Sequence, residues 1–263
     1  MSRLAEIIAH KRQEIAPWVK HTAEWRDRAA KLGALRGFRK TLTSNKFGFI
    51  GEVKKASPSA GVIAENFDPV QTAVAYHEAG ANCISVLTDE HFFQGHLDYL
   101  ALIRRNVPRP LLRKDFTVHE VQIYQAALAG ADAVLLIVAA LTDDELRHFK
   151  NVAEQIRIDC LIEIHDETEL QRALDAGADF LGINNRNLAT FVTDLNVTER
   201  LAPKVPKECT IVSESGIRTP DDIRRVVRAG AHAALVGEAL MRVPDPGALL
   251  RSFLAAAGAL APK

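Results

Sequence analysis

"ALAGADAVLLIV", residues 127–138, contains the end of a helix and the start of a buried strand. The small-residue tail stops at Gly130, where glycine can take the left-handed conformation that closes a helix. From Ala133 to Val138 every residue is then apolar. A strand with no polar face is covered on both sides, as in a parallel sheet wrapped by helices.

The same phrase recurs. "YHEAGAN" (76–82), "LDAGADF" (174–180) and "VRAGAHA" (227–233) each end a helical stretch in Ala-Gly-Ala, and each is followed by an apolar strand. Gly80, Gly130, Gly177 and Gly230 lie about 50 residues apart, the length of two strand–helix units. The intervening strands read as "FGFIGEVKK" (47–55), "RPLLRKD" (109–115), "IDCLIEIH" (158–165) and "CTIVSESG" (209–216). Helical spacing covers 68–79, 97–106, 119–129, 142–156, 166–176 and 219–229, with Asp68-Pro69 and Thr219-Pro220 as opening caps. Eight alternating βα units predict an α/β protein, a (β/α)8 TIM barrel rather than an open doubly wound sheet.

No Gly/Ser linker divides the chain, so residues 1–263 are expected to form one domain. Residues 48–263 are expected to form the barrel and 1–47 an N-terminal helical extension, whose Leu4, Ile7, Ile8 and Ile15 share a helical face for packing on the barrel, over one mouth; the alternative is a mobile surface arm.

Composition narrows the function classes. With 33 acidic and 33 basic residues there is no net field to favour nucleic acid or an anionic membrane. The apolar runs are shorter than the roughly 20 residues a bilayer-crossing helix needs. The charged N-terminus does not resemble a secretory signal. Cys83, Cys160 and Cys209 are widely separated and odd in number, so they read as buried thiols in a reducing cytoplasm. The histidines at 91, 96, 119 and 165 have no second ligand at a metal-binding spacing, and no metal site is expected. Oligomeric state is read as monomer or weak homo-oligomer.

Barrels of this kind work at the C-terminal ends of their strands. There the sequence offers Glu52 and Lys54, Lys114, Glu163, Asn184 and Arg186, and Glu214 with Ser215. Strand alternation puts Glu52 and Lys54 on one face and aligns Lys114 with Leu112 and Glu163 with Leu161. If the leucines point inward, the charged groups above them meet at the barrel mouth. Charges also gather at strand ends simply because those ends meet solvent. Five strands ending in acid, base or amide at inward positions favour a site. Gly216 and Gly237 follow the seventh and eighth strands, where backbone N–H groups often hold phosphate, and "EALM" (238–241) reads as a short helix there. Lys54 or Lys55, Ser57 and Arg186 would add charge and hydrogen bonds. Asp115, beside Lys114, should face the other way and pair structurally.

In order, "EVKKASPSAG" (52–61), "ISVLTDEHFFQG" (84–95), "LLRKDF" (111–116), "GINNRNL" (182–188), "VSESGI" (212–217) and "LVGEALM" (235–241) closely resemble the indole-3-glycerol-phosphate synthases, over about residues 48 to 242. The resemblance implies a cofactor-free enzyme of tryptophan biosynthesis. Its phosphorylated small-molecule substrate would be 1-(2-carboxyphenylamino)-1-deoxy-D-ribulose 5-phosphate, converted to indole-3-glycerol phosphate by ring closure, decarboxylation and dehydration. Under that resemblance Lys114 is the acid for ring closure. Lys54 and Glu163 serve dehydration, with Glu52 holding Lys54; which lysine acts at which step stays open. Asn184, Glu214 and Ser215 orient the substrate, and Arg186 supports the carboxyl groups. Ser57, Gly216, Gly237 and Glu238 form the phosphate set, with Glu238 lending only its N–H where some relatives have serine. Phe92, Phe93 and Phe116 are candidates for the wall around the anthranilate ring, with core packing equally open to Phe93. Two rivals stand beside this reading: a phosphate-binding isomerase barrel, and a silent barrel that only binds. A trio of Lys54, Lys114 and Glu163 exceeds what either needs.

Overall fold

A computed structural model describes residues 3–44, 47–58, 61–64, 66–188 and 190–259. Among these, eight parallel strands close a barrel: β1 (Gly48–Val53), β2 (Cys83–Leu87), β3 (Leu111–Lys114), β4 (Ala133–Ile137), β5 (Asp159–Ile164), β6 (Phe180–Asn184), β7 (Thr210–Glu214) and β8 (Ala233–Val236). Each pairs with its sequence neighbours, and β8 returns to β1 with Phe49 opposite Ala234. A two-residue hairpin, Ala56–Ser57 with Gly61–Val62, stands in the loop after β1.

Three helices precede the barrel: α1 (Arg3–Val19), α2 (Thr22–Ala29) and α3 (Phe38–Leu42). The wrapping helices are α4 (Pro69–Glu78), α5 (Asp98–Asn106), α6 (Val121–Ala129), α7 (Asp143–Gln155), α8 (Glu167–Asp175), α9 (Asn196–Leu201) and α10 (Pro220–Ala229). The short α11 (Glu238–Met241) and the closing α12 (Pro246–Gly258) follow β8. Local chemistry sets their ends. Asp68 accepts from the N–H groups of Val70 and Gln71, and Thr219 makes a reciprocal capping box with Asp222. Gly130 and Gly230 close α6 and α10 at φ 97° and 100°, in the left-handed region the sequence phrase required. The helical spacing missed α9, a six-residue helix that runs into a 3-10 turn at Ala202–Lys204.

The barrel interior is layered. Ile50, Leu112, Leu161, Val212 and Leu235 fill its middle, one from each of five strands. Below them α3 plugs the N-terminal end, with Phe38 and Leu42 fully buried and the Phe38 ring 6.2 Å from that of Phe180. Two residues above the middle layer, the same strands carry Glu52, Lys114, Glu163 and Glu214, and Gly237 stands just past the end of β8. The two-residue period therefore lifts acid, base and glycine to the C-terminal mouth. The outer core, between strands and helices, holds residues of the other parity such as Phe49, Val86, Ile162 and Ile183.

Candidate active site

The mouth opens into a cavity of about 410 Å³. Glu52, Lys54, Lys114, Glu163, Asn184, Arg186, Glu214, Ser215, Gly216, Gly237, Glu238 and Phe116, all singled out in the sequence, line it together. Residues from six strands and their following loops thus converge from a span of nearly 190 positions in the chain.

Lys114 is the hub. Its Nζ lies 3.0 Å from Glu163 Oε2 and 3.5 Å from Glu214 Oε2, and both carboxylates are almost wholly buried. Burial pulls the ammonium down, but Glu163, Glu214 and Glu52 outweigh it and hold Lys114 above its ordinary value. A second pair stands beside it, with Lys54 Nζ donating to Glu52 Oε1 at 2.5 Å. Burial would raise Glu52; Lys54 and then Lys114 reverse that and keep it ionised.

The two carboxyls facing Lys114 differ. Burial pushes Glu163 up, but Lys114, His165 and a hydrogen bond with Asn184 bring it well below the carboxylate range. Glu214 has no hydrogen-bond partner on either oxygen among the described residues. Burial, only partly countered by Lys114 and reinforced by Glu163 and Glu52, pushes it up to about 7. The site therefore holds one carboxyl fixed as an anion and one that exchanges protons near neutrality.

Glycines make the room. A Cβ on Gly182 would overlap Glu214 Oε1, and one on Gly237 would overlap the Glu52 carboxylate. "GINN" and "LVGEA" thus need glycine for side-chain clearance, a reason not visible along either strand. Ser215 takes φ 65° and Gly216 φ 84°, turning the chain sharply after β7. Asn185 braces that turn by donating to the carbonyls of Glu214 and Ser215, at 2.9 and 3.0 Å.

On the rim, Glu238 accepts from Arg186 Nη2 at 3.0 Å and from Arg242 Nε at 3.1 Å. Arg218 also faces the cavity, so three guanidinium groups border the side formed by Gly216 and Gly237. The Glu238 side chain is thereby engaged with arginines.

Three expected positions fall outside the cavity lining. Phe92 does not line the cavity; it packs edge-on to His10 and His91, at ring distances of 5.5 and 4.6 Å, whereas Phe93, the neighbouring candidate, lines it. Asp89 closes the turn that carries both rings: its Oδ1 accepts from the N–H groups of both phenylalanines. Lys55 falls one residue out of phase with Glu52 and Lys54 and is absent from the lining. Ser57 is buried within the hairpin and is also absent from the lining.

The sequence reading missed Lys11. Its side chain is 0 % exposed, with Nζ 2.8 Å from Asp89 Oδ2, 3.0 Å from Asp115 Oδ1 and 2.9 Å from Glu14. Asp115 also takes Arg113 and the Thr88 hydroxyl, so its carboxylate pairs structurally as anticipated. This buried cluster fastens α1 over the mouth, where Arg3, Leu4 and Ile7 complete the cavity wall. A signal existed: Ile7, Lys11 and Ile15 are four apart and share one helical face.

Residues 4–253 match the family model described as indole-3-glycerol phosphate synthase. The chain belongs to that family. It is 46% identical over 254 residues to the indole-3-glycerol phosphate synthase of Acidithiobacillus ferrooxidans, covering 94% of this chain and 97% of that one. It is 47% identical over 265 residues to that of Opitutus terrae, covering 96% and 98%. Among solved structures, 3-hexulose-6-phosphate synthase superposes with a TM-score of 0.64 at 18% identity, over 80% of this chain and 99% of that chain. That likeness is one of fold, a TIM barrel. Family membership makes the protein an enzyme, a decarboxylating lyase of the indole-3-glycerol phosphate synthase type. Among the described residues no helix is long and apolar enough to cross a membrane, and no group of three metal-ligating side chains occurs.

Proposed function

We propose that this cavity binds 1-(2-carboxyphenylamino)-1-deoxy-D-ribulose 5-phosphate and converts it to indole-3-glycerol phosphate, CO2 and water. The observation that carries the assignment of roles is the Lys114 ammonium held between Glu163 and Glu214, in one cavity with the Lys54–Glu52 pair. Ring closure makes a bond from the carboxylate-bearing aromatic carbon to the ribulose C2 carbonyl, whose oxygen gains charge and needs a proton. Lys114 is the acid. Its raised proton affinity keeps it charged until the far more basic alkoxide develops.

Loss of CO2 returns the bonding pair to the ring and requires mainly that the carboxylate be oriented. Dehydration needs one proton for the departing hydroxyl and a base for the proton left on the neighbouring carbon. Lys54 supplies the first, steadied by Glu52, and Glu163 accepts the second. Asn184, Glu214 and Ser215 orient the substrate. The phosphate lies against the Gly216 and Gly237 backbone with Arg186, Arg218 and Arg242 nearby, while Phe93 and Phe116 flank the aromatic ring. No resident cofactor takes part in this scheme. The setting is a reducing cytoplasm, consistent with Cys83, Cys160 and Cys209 as free thiols.

Incubating the purified enzyme with the carboxyphenylamino ribulose phosphate should produce indole fluorescence. Lys114→Ala should lose about 10²-fold or more in kcat while still binding a phosphorylated substrate analogue. Equal loss of turnover and binding would make Lys114 an anchor rather than an acid.

A further inference from the structure

His165 lies outside the cavity lining, directly behind Glu163, the residue assigned above as the dehydration base. Its Nδ1 is 2.9 Å from Glu169 Oε2, and its backbone N–H donates to the same oxygen at 2.8 Å. Glu169 is itself fixed at the first turn of α8, where its N–H donates to the capping Asp166 side chain at 2.9 Å. With Nδ1 engaged by Glu169, the ring's Nε2 is buried 3.4 Å from Glu163 Oε1, an ion-pair distance without a hydrogen bond among the described residues. The other oxygen of Glu163 faces Lys114. The carboxylate thus has a basic group at each oxygen, the imidazole at ion-pair distance on one and the hydrogen-bonded ammonium on the other.

We infer that His165, oriented by Glu169, is a positioning residue that fixes the rotamer of Glu163 and keeps it ionised through the catalytic cycle. The inference rests on Glu163 acting as the base. Lys114 changes charge when it gives up its proton, and at that moment Glu163 would otherwise lose its cationic partner. It would then draw a proton before dehydration begins. An imidazolium on Oε1 preserves one cation beside the carboxylate whatever the state of the lysine. Among the described residues, Glu163 on β5 and Glu169 on α8 are the ionisable groups facing the ring at ion-pair distance. Beyond Glu163 stand Lys114 from β3 and the neutral Asn184 from β6. Burial works against charge on His165, but Glu163 and Glu169 outweigh it and push the imidazole up to about 10, so it is charged at neutral pH. Direction of charge and geometry agree.

The test uses His165→Gln, Glu169→Gln and the double variant in the full-length enzyme, with Glu163→Gln as reference. His165→Gln keeps a donor of similar reach but removes the charge. It should lower kcat about 10-fold with KM within about twofold, because the lost contact acts on the base rather than on ground-state binding. Loss of a cation raises the proton affinity of Glu163. The acid limb of the kcat–pH profile should therefore move to higher pH. Glu169→Gln, which touches Glu163 only through His165, should move that limb the same way, and the double variant should be no worse than His165→Gln.

A wild-type acid limb in folded His165→Gln, or additive losses in the double variant, would overturn the inference while leaving Glu163 as the base. Normal turnover by Glu163→Gln would instead remove the reading on which it rests. If His165→Gln does not fold, Glu169→Gln alone decides by the same shift.

Discussion

Replacing Lys11 with methionine tests whether one buried ammonium holds the N-terminal layer on the barrel. Methionine keeps the unbranched apolar stem on the Ile7 and Ile15 face and removes the terminal ammonium, so the perturbation is chiefly the charge. It leaves Asp89 and Asp115, whose side chains are 0 % and 1 % exposed, without their shared cation. Removing one partner of a buried ion pair costs about 3–5 kcal/mol. The lower end applies here, because Asp115 retains Arg113 and Thr88, and Asp89 retains two backbone N–H groups. Undocking α1 would let water reach the stranded carboxylates, and the helix buries little else, chiefly Ile7 and Ile15. The loss should therefore fall on α1 before it falls on the barrel. The protein supplies its own reporter: its two tryptophans, Trp18 and Trp25, both sit in this layer, their rings stacked 5.7 Å apart. In Lys11→Met, tryptophan fluorescence should change at a lower urea concentration than far-UV circular dichroism, which follows the barrel. KM should rise as well, since Arg3, Leu4 and Ile7 leave the cavity wall. Coincident transitions at the wild-type midpoint, with unchanged KM, would refute the argument.

Gly182→Ala places a Cβ inside the contact radius of Glu214 Oε1 and 3.4 Å from Leu161 Cδ1, so the carboxyl must shift. A displacement of about 1 Å near reacting atoms costs roughly 100-fold in kcat, and overpacking costs about 1–3 kcal/mol of stability; steady-state kinetics and thermal melts read the two. Glu214 also gives a pH signature. Its native proton affinity lies above the ordinary 4.5, at about 7, so the folded state binds the extra proton in that interval. Its stabilising contribution is complete below 4.5 and is lost as pH rises through 7. Wild type minus Glu214→Gln, measured by urea unfolding from pH 4.5 to 8, should fall across that window; a flat difference would mean that Glu214 titrates normally.

The local code of this chain carried a great deal. Runs such as "AVLLI" cannot satisfy a one-sided sheet, and Ala-Gly-Ala phrases can end helices but not continue them, so eight strands and most helices follow from near-neighbour chemistry. The period of two also put Glu52 and Lys54 on one face and aligned Lys114 with Leu112 and Glu163 with Leu161, because alternation is a property of the extended backbone itself. Phe92 and Phe93 were not separable in this way. They lie in a turn with no fixed period, which Asp89, three and four residues earlier, closes by accepting both amides.

What folding in three dimensions alone decided is which charges meet. Lys11 reads as an exposed helical lysine until Asp89 and Asp115, more than 70 residues away, surround it. His165 reads only as a histidine without a metal-binding spacing until the fold brings its ring between Glu169 and Glu163. Gly182 reads as a weak spot in a strand until Glu214 fills the space its missing side chain leaves. The physical reason is one of range. Hydrogen bonds along the backbone and the apolar pattern act between near neighbours and are written in order along the chain. Proton affinities and clearances depend on through-space distances of a few ångströms, which exist only once the barrel has closed.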